Sequence, residues 1–170
     1  MAALVSSPAS PFEVTTMIAM RSLAALLLLI LLAACASGPP VRVFPPQVTV
    51  QELKVQTDGQ VVATLRVQNF STVPMTFSRL QATLTLAGTE AATIDIDPAV
   101  TVGPGSNEPV RHAFVPPPAV KSAIDATFAN GRSLRYQLAG RIASSVPGSE
   151  DDITYSSALD PMPGLTGVLR

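Results

Sequence analysis

This sequence predicts an all-β fold, an antiparallel β-sandwich with one short helix near residues 119–129. Three observations carry the prediction. Apolar residues between Gln47 and Leu159 recur mostly at every second position, the period of a half-buried strand. Turn residues interrupt these runs at short intervals, as at Asp58-Gly59, Gly103-Pro104-Gly105 and Pro147-Gly148. One late segment alone has helical spacing. Sheets that pack face to face need this alternation, because each strand sends one face into the core and the other to solvent.

In chain order, Val48 and Val50 share one phase, and Leu53 and Val55 the other. The slip at Gln51-Glu52 predicts a bulge or bend. Thr57-Asp58-Gly59-Gln60 is a turn around the hairpin dipeptide Asp-Gly. Val61, Ala63, Leu65 and Val67 then alternate with more polar neighbours and predict the clearest early strand. Asn69 to Thr72 is a polar connection whose side chains can bond their own backbone. Val73, Met75 and Phe77 fall in one phase, and Leu80, Ala82, Leu84 and Leu86 in the other. The slip at Ser78-Arg79 predicts a bulge or a crossing between sheets. Ala87 to Glu90 turns the chain, and Ala92, Ile94 and Ile96 alternate with Thr93, Asp95 and Asp97. Thr101 to Asn107 reads as an exposed loop. Val110, His112 and Phe114 make another strand, which Pro116-Pro117-Pro118 ends.

From Ala119 to Ala129, Val120, Ala123, Ile124, Thr127 and Phe128 fall on one helical face, and Asn130-Gly131 supplies the stop. Leu134, Tyr136, Leu138, Gly140 and Ile142 mark the most regular strand. Pro147 to Asp152 reads as an acidic turn and Ile153 to Leu159 as a last strand. The tail, 160–170, has no regular signal.

Upstream of the domain the pattern changes character. Arg21 precedes an unbroken apolar run from Leu23 to Ala34, which is too short to span a bilayer as a helix, a span needing about 20 residues. A positive charge, a short apolar run and small residues before a cleavage point form an export signal. Cys35, the single cysteine, closes the run. This arrangement resembles the lipobox of bacterial lipoproteins, which implies diacylglycerol on the Cys35 thiol and anchoring in a membrane. The bacterial pathway commonly adds two or three acyl chains, and two already give stable anchoring. Ala36 in the following position favours the outer membrane, with the domain facing the periplasm. The expected organisation is an over-long start at 1–16, a signal at 17–34, a proline-rich tether at 35–46, a sandwich at 47–159 and an irregular tail.

Charge is nearly balanced, with 11 Lys and Arg against 12 Asp and Glu, so nothing predicts a nucleic-acid stripe or a polybasic lipid patch. With one cysteine, committed to lipid, no disulfide is expected. The absence of Trp argues against an aromatic sugar platform.

A family resemblance enters at two stretches. The first is Val67-Gln68-Asn69, then Pro74, then Leu80-Gln81-Ala82-Thr83-Leu84-Thr85-Leu86-Ala87-Gly88. The second is Gly131 to Arg141, with Tyr136-Gln137-Leu138-Ala139-Gly140 at its centre. Together they resemble the late embryogenesis abundant type 2 family, also called the water stress and hypersensitive response domain, over residues 47–159. Ser71 departs from the family pattern, which commonly has a second Asn there. The resemblance implies a fibronectin/immunoglobulin-like sandwich, no catalytic residues, no cofactor, and an association with desiccation or other stress. Its bacterial members are often exported or lipid-anchored, in keeping with Cys35.

Candidate chemistry in the domain is sparse. His112 is the only histidine, and a core-edge packing role is expected for it. Asp95 and Asp97 are two apart on a strand, so their carboxylates share a face about 7 Å apart. Such pairs serve glycoside hydrolysis or bind Ca²⁺, but a solvated strand face is the expectation. Glu150-Asp151-Asp152 lacks the ligand spacing of a calcium loop, and no Lys-Ser/Thr follows Gly103-Pro104-Gly105 as a phosphate loop requires. Asn69-Phe70-Ser71 matches a glycosylation sequon by chance. The functional expectation is a lipid-anchored, non-catalytic envelope protein that protects or binds envelope components under water stress. The alternatives are a periplasmic adaptor that docks on an envelope complex by strand addition, and a hydrolase using Asp95 and Asp97. No small-molecule substrate is identified.

Overall fold

A computed structural model describes residues 40–170, so the stretch read as an export signal, Cys35 and Ala36 lie outside the described residues. The domain is all-β apart from one helix. Its nine strands are β1 (Gln47–Val55), β2 (Val61–Gln68), β3 (Met75–Leu86), β4 (Thr89–Ile96), β5 (Val100–Val102), β6 (Asn107–Phe114), β7 (Leu134–Val146), β8 (Gly148–Leu159) and β9 (Val168–Leu169). The helix runs Pro118–Asn130, between β6 and β7. Four strands form one sheet in the order β6-β2-β1-β9. Five form the other, in the order β4-β3-β7-β8, with β5 also paired to β3. All pairings are antiparallel.

The core is the sum of the two inner faces. Val48, Val50, Leu53, Ala63, Leu65 and Val67 come from the smaller sheet; Leu80, Leu84, Ile94, Leu138 and Ile142 come from the larger. The slip at Gln51-Glu52 is a β-bulge between Val50 and Glu52. It keeps Val50 and Leu53 both buried although they are three apart. The slip at Ser78-Arg79 is also a register irregularity, against β7. There β3 stays in one sheet along its whole length: Met75–Phe77 pairs with β5, and Leu80–Leu86 pairs with β4 along the same edge. The chain instead changes sheets through its connections, at 69–74, 103–106, 160–167 and through the helix.

The helix closes one end of the sandwich. Val120, Ile124 and Thr127 are buried, and Ala123 and Phe128 flank them. Pro118 starts the helix without needing an N–H partner, and Gly131 ends it in the left-handed region at φ 61°.

Four sequence expectations need correction. The stretch 101–107 is not all loop: Val100–Val102 forms β5 and Val102 is fully buried. A three-residue strand is too short to display a period. The acidic stretch is strand as well, since β8 begins at Gly148 and Glu150 and Asp152 pair opposite Ala143 and Arg141. Arg141 contacts both acids, at 3.4 Å to Glu150 and 3.3 Å to Asp152, which offsets their mutual repulsion. The tail 160–170 is part of the sandwich: β9 pairs with β1, Leu169 is fully buried, and the Arg170 guanidinium lies 2.7 Å from Glu52. Finally, the tether stops short of Pro46. Arg42 N–H donates to Thr72 Oγ1 at 2.8 Å and Phe44 N–H donates to Ser71 Oγ at 2.9 Å, so the chain is docked from residue 42 onward. The folded unit is Val41–Arg170.

Candidate functional site

The residues of the two family-like stretches meet as structural parts. Asn69 is fully buried at the end of β2. Its Nδ2 donates to the carbonyls of Val73 (2.8 Å), Val102 (3.0 Å) and Gly103 (3.2 Å). Its Oδ1 accepts from Ser71 N–H at 2.8 Å. One side chain thus satisfies backbone groups from two connections that the sheets leave unpaired. With its amide so committed, Asn69 offers no glycosylation site in the folded domain. Ser71, where the sequence departs from the family pattern, holds the N-terminal segment through both backbone groups of Phe44.

Tyr136 links the sheets. Its hydroxyl accepts from Val50 N–H at 3.2 Å and faces Val50 O at 3.4 Å, at the β1 bulge. Burial pushes the phenol pKa up, so the group stays a neutral hydroxyl. Gly140, the last residue of the Tyr-x-Leu-x-Gly pattern, lies where β7 passes β3 at closest approach. A Cβ there would meet the Gln81 carbonyl oxygen and stand 2.5 Å from Ala82 Cα.

The polar groups sit elsewhere, on the outer face of the larger sheet. Cross-strand register places Asp95, Gln81, Arg141 and Asp152 in one row, and Thr93, Thr83, Ala139 and Thr154 in the next. The face carries an open depression of about 350 Å³ lined by Gln81, Thr83, Thr93, Asp95, Ala139 and Arg141. Asp95 is bound on two sides: Arg79 Nη2 is 3.1 Å and Gln81 Nε2 is 3.2 Å from its Oδ2. The Arg79 and Gln81 hydrogen bonds hold the Asp95 carboxyl below its usual pKa range. A general acid for glycoside hydrolysis needs the opposite shift. Asp97 lies past the end of β4 and is exposed. His112, half-buried on the edge strand β6, stacks on Phe114 with ring centroids 6.4 Å apart. Burial lowers its pKa. Gly103–Ser106 is the tight β5–β6 turn, closed by Ser106 N–H to Gly103 O at 3.1 Å, and no helix starts there.

Among the described residues no group of three His, Cys, Asp or Glu side chains stands close enough to hold a metal ion. Among them, too, no helix is long and apolar enough to cross a membrane. The local backbone bonds of Asn69 to Ser71 and Val73 are those its turn composition predicts; its bonds to Val102 and Gly103 and the close approach at Gly140 have no signal in the sequence.

No protein-family model and no curated protein matches the sequence. Solved structures do resemble it. A crystal structure of a protein from Archaeoglobus fulgidus is 19% identical, covering 73% of this chain and 99% of that one, with a TM-score of 0.40. A solution structure of a protein from Arabidopsis thaliana is 18% identical, covering 74% of this chain and 82% of that one, with a TM-score of 0.45. An X-ray structure of a structural-genomics target is 12% identical, covering 74% of this chain and 89% of that one, with a TM-score of 0.37.

Proposed function

We propose that this chain is a lipid-anchored envelope protein, held through diacylglycerol on Cys35, whose sandwich works by surface contact with other envelope components under water stress rather than by catalysis. One observation carries the reading. The residues of the family-like stretches that stand out, Asn69, Tyr136 and Gly140, are spent on building the sandwich. The exposed polar groups, by contrast, form a mixed-charge, threonine-bearing sheet face with an ionised Asp95 at its edge. Such a face suits weak, reversible contact through water and side-chain hydrogen bonds. The test is to dry a labile reporter enzyme with the protein, or with an equal mass of an unrelated globular protein, and compare recovered activity. Recovery above that control supports the protective reading; recovery equal to it removes that reading.

A second reading, an adaptor that binds by strand addition, is favoured by β8. It is a 12-residue strand that pairs, among the described residues, with β7 alone. Its second half, Ile153 to Ala158, carries no charge and no proline. Edge strands of that kind are open to pairing with another chain. Cross-linking that traps one saturable envelope partner at β8 would favour this reading over broad protection.

A further inference from the structure

The two ends of the sandwich differ in chemistry. One end consists of the segment 41–46, the β2–β3 connection 69–74, the β5–β6 turn 103–106 and the β7–β8 turn at Pro147. These segments carry one charged side chain among them, Arg42. They also present large apolar side chains to solvent: Val41, Val43, Phe44 (44% exposed), Phe70 (47% exposed) and, beside Pro147, Val146. Phe70, with Pro45, Pro46 and Tyr155, flanks a recess of about 210 Å³ whose wall also carries Gln47, Asp152 and Thr154. The mutual bonds of Arg42 with Thr72 and of Phe44 with Ser71 fix the two apolar segments side by side. The opposite end, with the Asp58 turn, the helix bearing Lys121 and Asp125, Arg132 and Asp160, carries charges of both signs, beside the exposed Val115 and Leu165.

We infer that the apolar end, with Val41, Val43, Phe44 and Phe70, rests in the headgroup–acyl boundary of a phospholipid bilayer, so that the sandwich stands end-on against the membrane. The inference rests on the lipid-anchored reading above. Connectivity selects the bilayer as occupant. The chain enters this end, and five residues, 36–40, separate Cys35 from Val41. Fully extended, the six steps from Cys35 to Val41 reach at most about 22 Å, so an anchored Cys35 keeps this end near the lipid. Aromatic and aliphatic side chains bury favourably in that boundary, and a single Arg beside them can meet lipid phosphate. A charged end would resist the same placement. The docked residues 42–46 then hold the domain down against the lipid.

Because the protein has no Trp, a single introduced Trp reports on depth. Full-length Phe70→Trp, Phe44→Trp and, as the far-end control, Val115→Trp (75% exposed) are expressed in a bacterial host and purified from membranes. Each is reconstituted into phosphatidylethanolamine–phosphatidylglycerol vesicles brominated on the acyl chains. Severalfold stronger quenching at 44 and 70 than at 115 is expected. Equal quenching at all three overturns the inference. So does an unquenched 44 and 70 with concentration-dependent cross-linking, which would make a second copy of the chain the occupant. The mass of the N-terminal peptide is read separately. Quenching at 44 and 70 without lipid on Cys35 removes the anchoring reading and leaves the surface; lipid on Cys35 without quenching does the reverse.

Discussion

Asn69 and Gly140 are the two residues on which the domain depends most sharply, and for opposite reasons. Asn69 supplies groups that nothing else can supply. Replacing it by Ala leaves the Ser71 N–H and up to three carbonyls without their partner inside the protein. Each buried unpaired group costs about 1–3 kcal/mol, and relaxation recovers part of the sum. Asn69→Ala is expected to lower unfolding free energy by about 3 kcal/mol, read from urea unfolding. Gly140 matters for what it lacks. A Cβ there meets backbone of β3, and backbone in a paired strand cannot move aside as a flexible side chain can. Overpacking typically costs about 1–3 kcal/mol, and this contact lies at or above the upper end. Gly140→Ala is expected to destabilise by about 3 kcal/mol or to prevent folding, read by the same titration and by loss of soluble protein.

At the scale of elements, the turns and the tail are the points to probe. The β3–β4 hairpin turns on two residues, Ala87 and Gly88, both at positive φ (49° and 81°). That is the type I′ arrangement, which prefers Asn or Asp followed by Gly. Ala in the left-handed region carries a penalty of about 1 kcal/mol, so Ala87→Asn is expected to raise stability by a similar amount in thermal unfolding. β9 has two residues, yet it covers Leu53 and is itself buried. Leu169→Ala removes a fully buried side chain from a packed site and is expected to cost about 2–4 kcal/mol. If the tail were dispensable, the urea midpoint would not move.

For the whole molecule, the charge state sets how stability follows pH. His112 has a folded-state pKa below the usual 6.5 because burial disfavours the imidazolium. Its unfolded form therefore binds the proton first as pH falls. The stability it contributes is complete above pH 6.5 and is lost as pH drops from there through the folded value. Asp95 is also depressed, from 3.8, so its contribution holds down to that range and is lost only at lower pH. The urea midpoint is expected to fall between about pH 7 and pH 5, and His112→Phe, which keeps an aromatic ring beside Phe114, is expected to flatten that part of the curve.

Fold class, the helix and most of the strand phases, including both slips, are legible in the residues alone. These are written in local periodicity: Val61 to Val67 and Leu134 to Ile142 alternate because each strand buries one face. The sequence also supplied the candidate site residues, and their types alone made His112, Asp95 and Asp97 plausible. The tertiary structure decided which of them meet. It placed Asp95 against Arg79 and Gln81, set His112 on Phe114, and spent Asn69 on the carbonyls of three other residues. It also recruited the segments without a pattern. β5, β9 and residues 42–44 are too short to show a period. β5 and β9 are ordered by pairing with β3 and β1, and residues 42–44 by hydrogen bonds with Ser71 and Thr72. Local periodicity records which face of a long strand is buried; partners distant in sequence are fixed only when the two sheets close on each other.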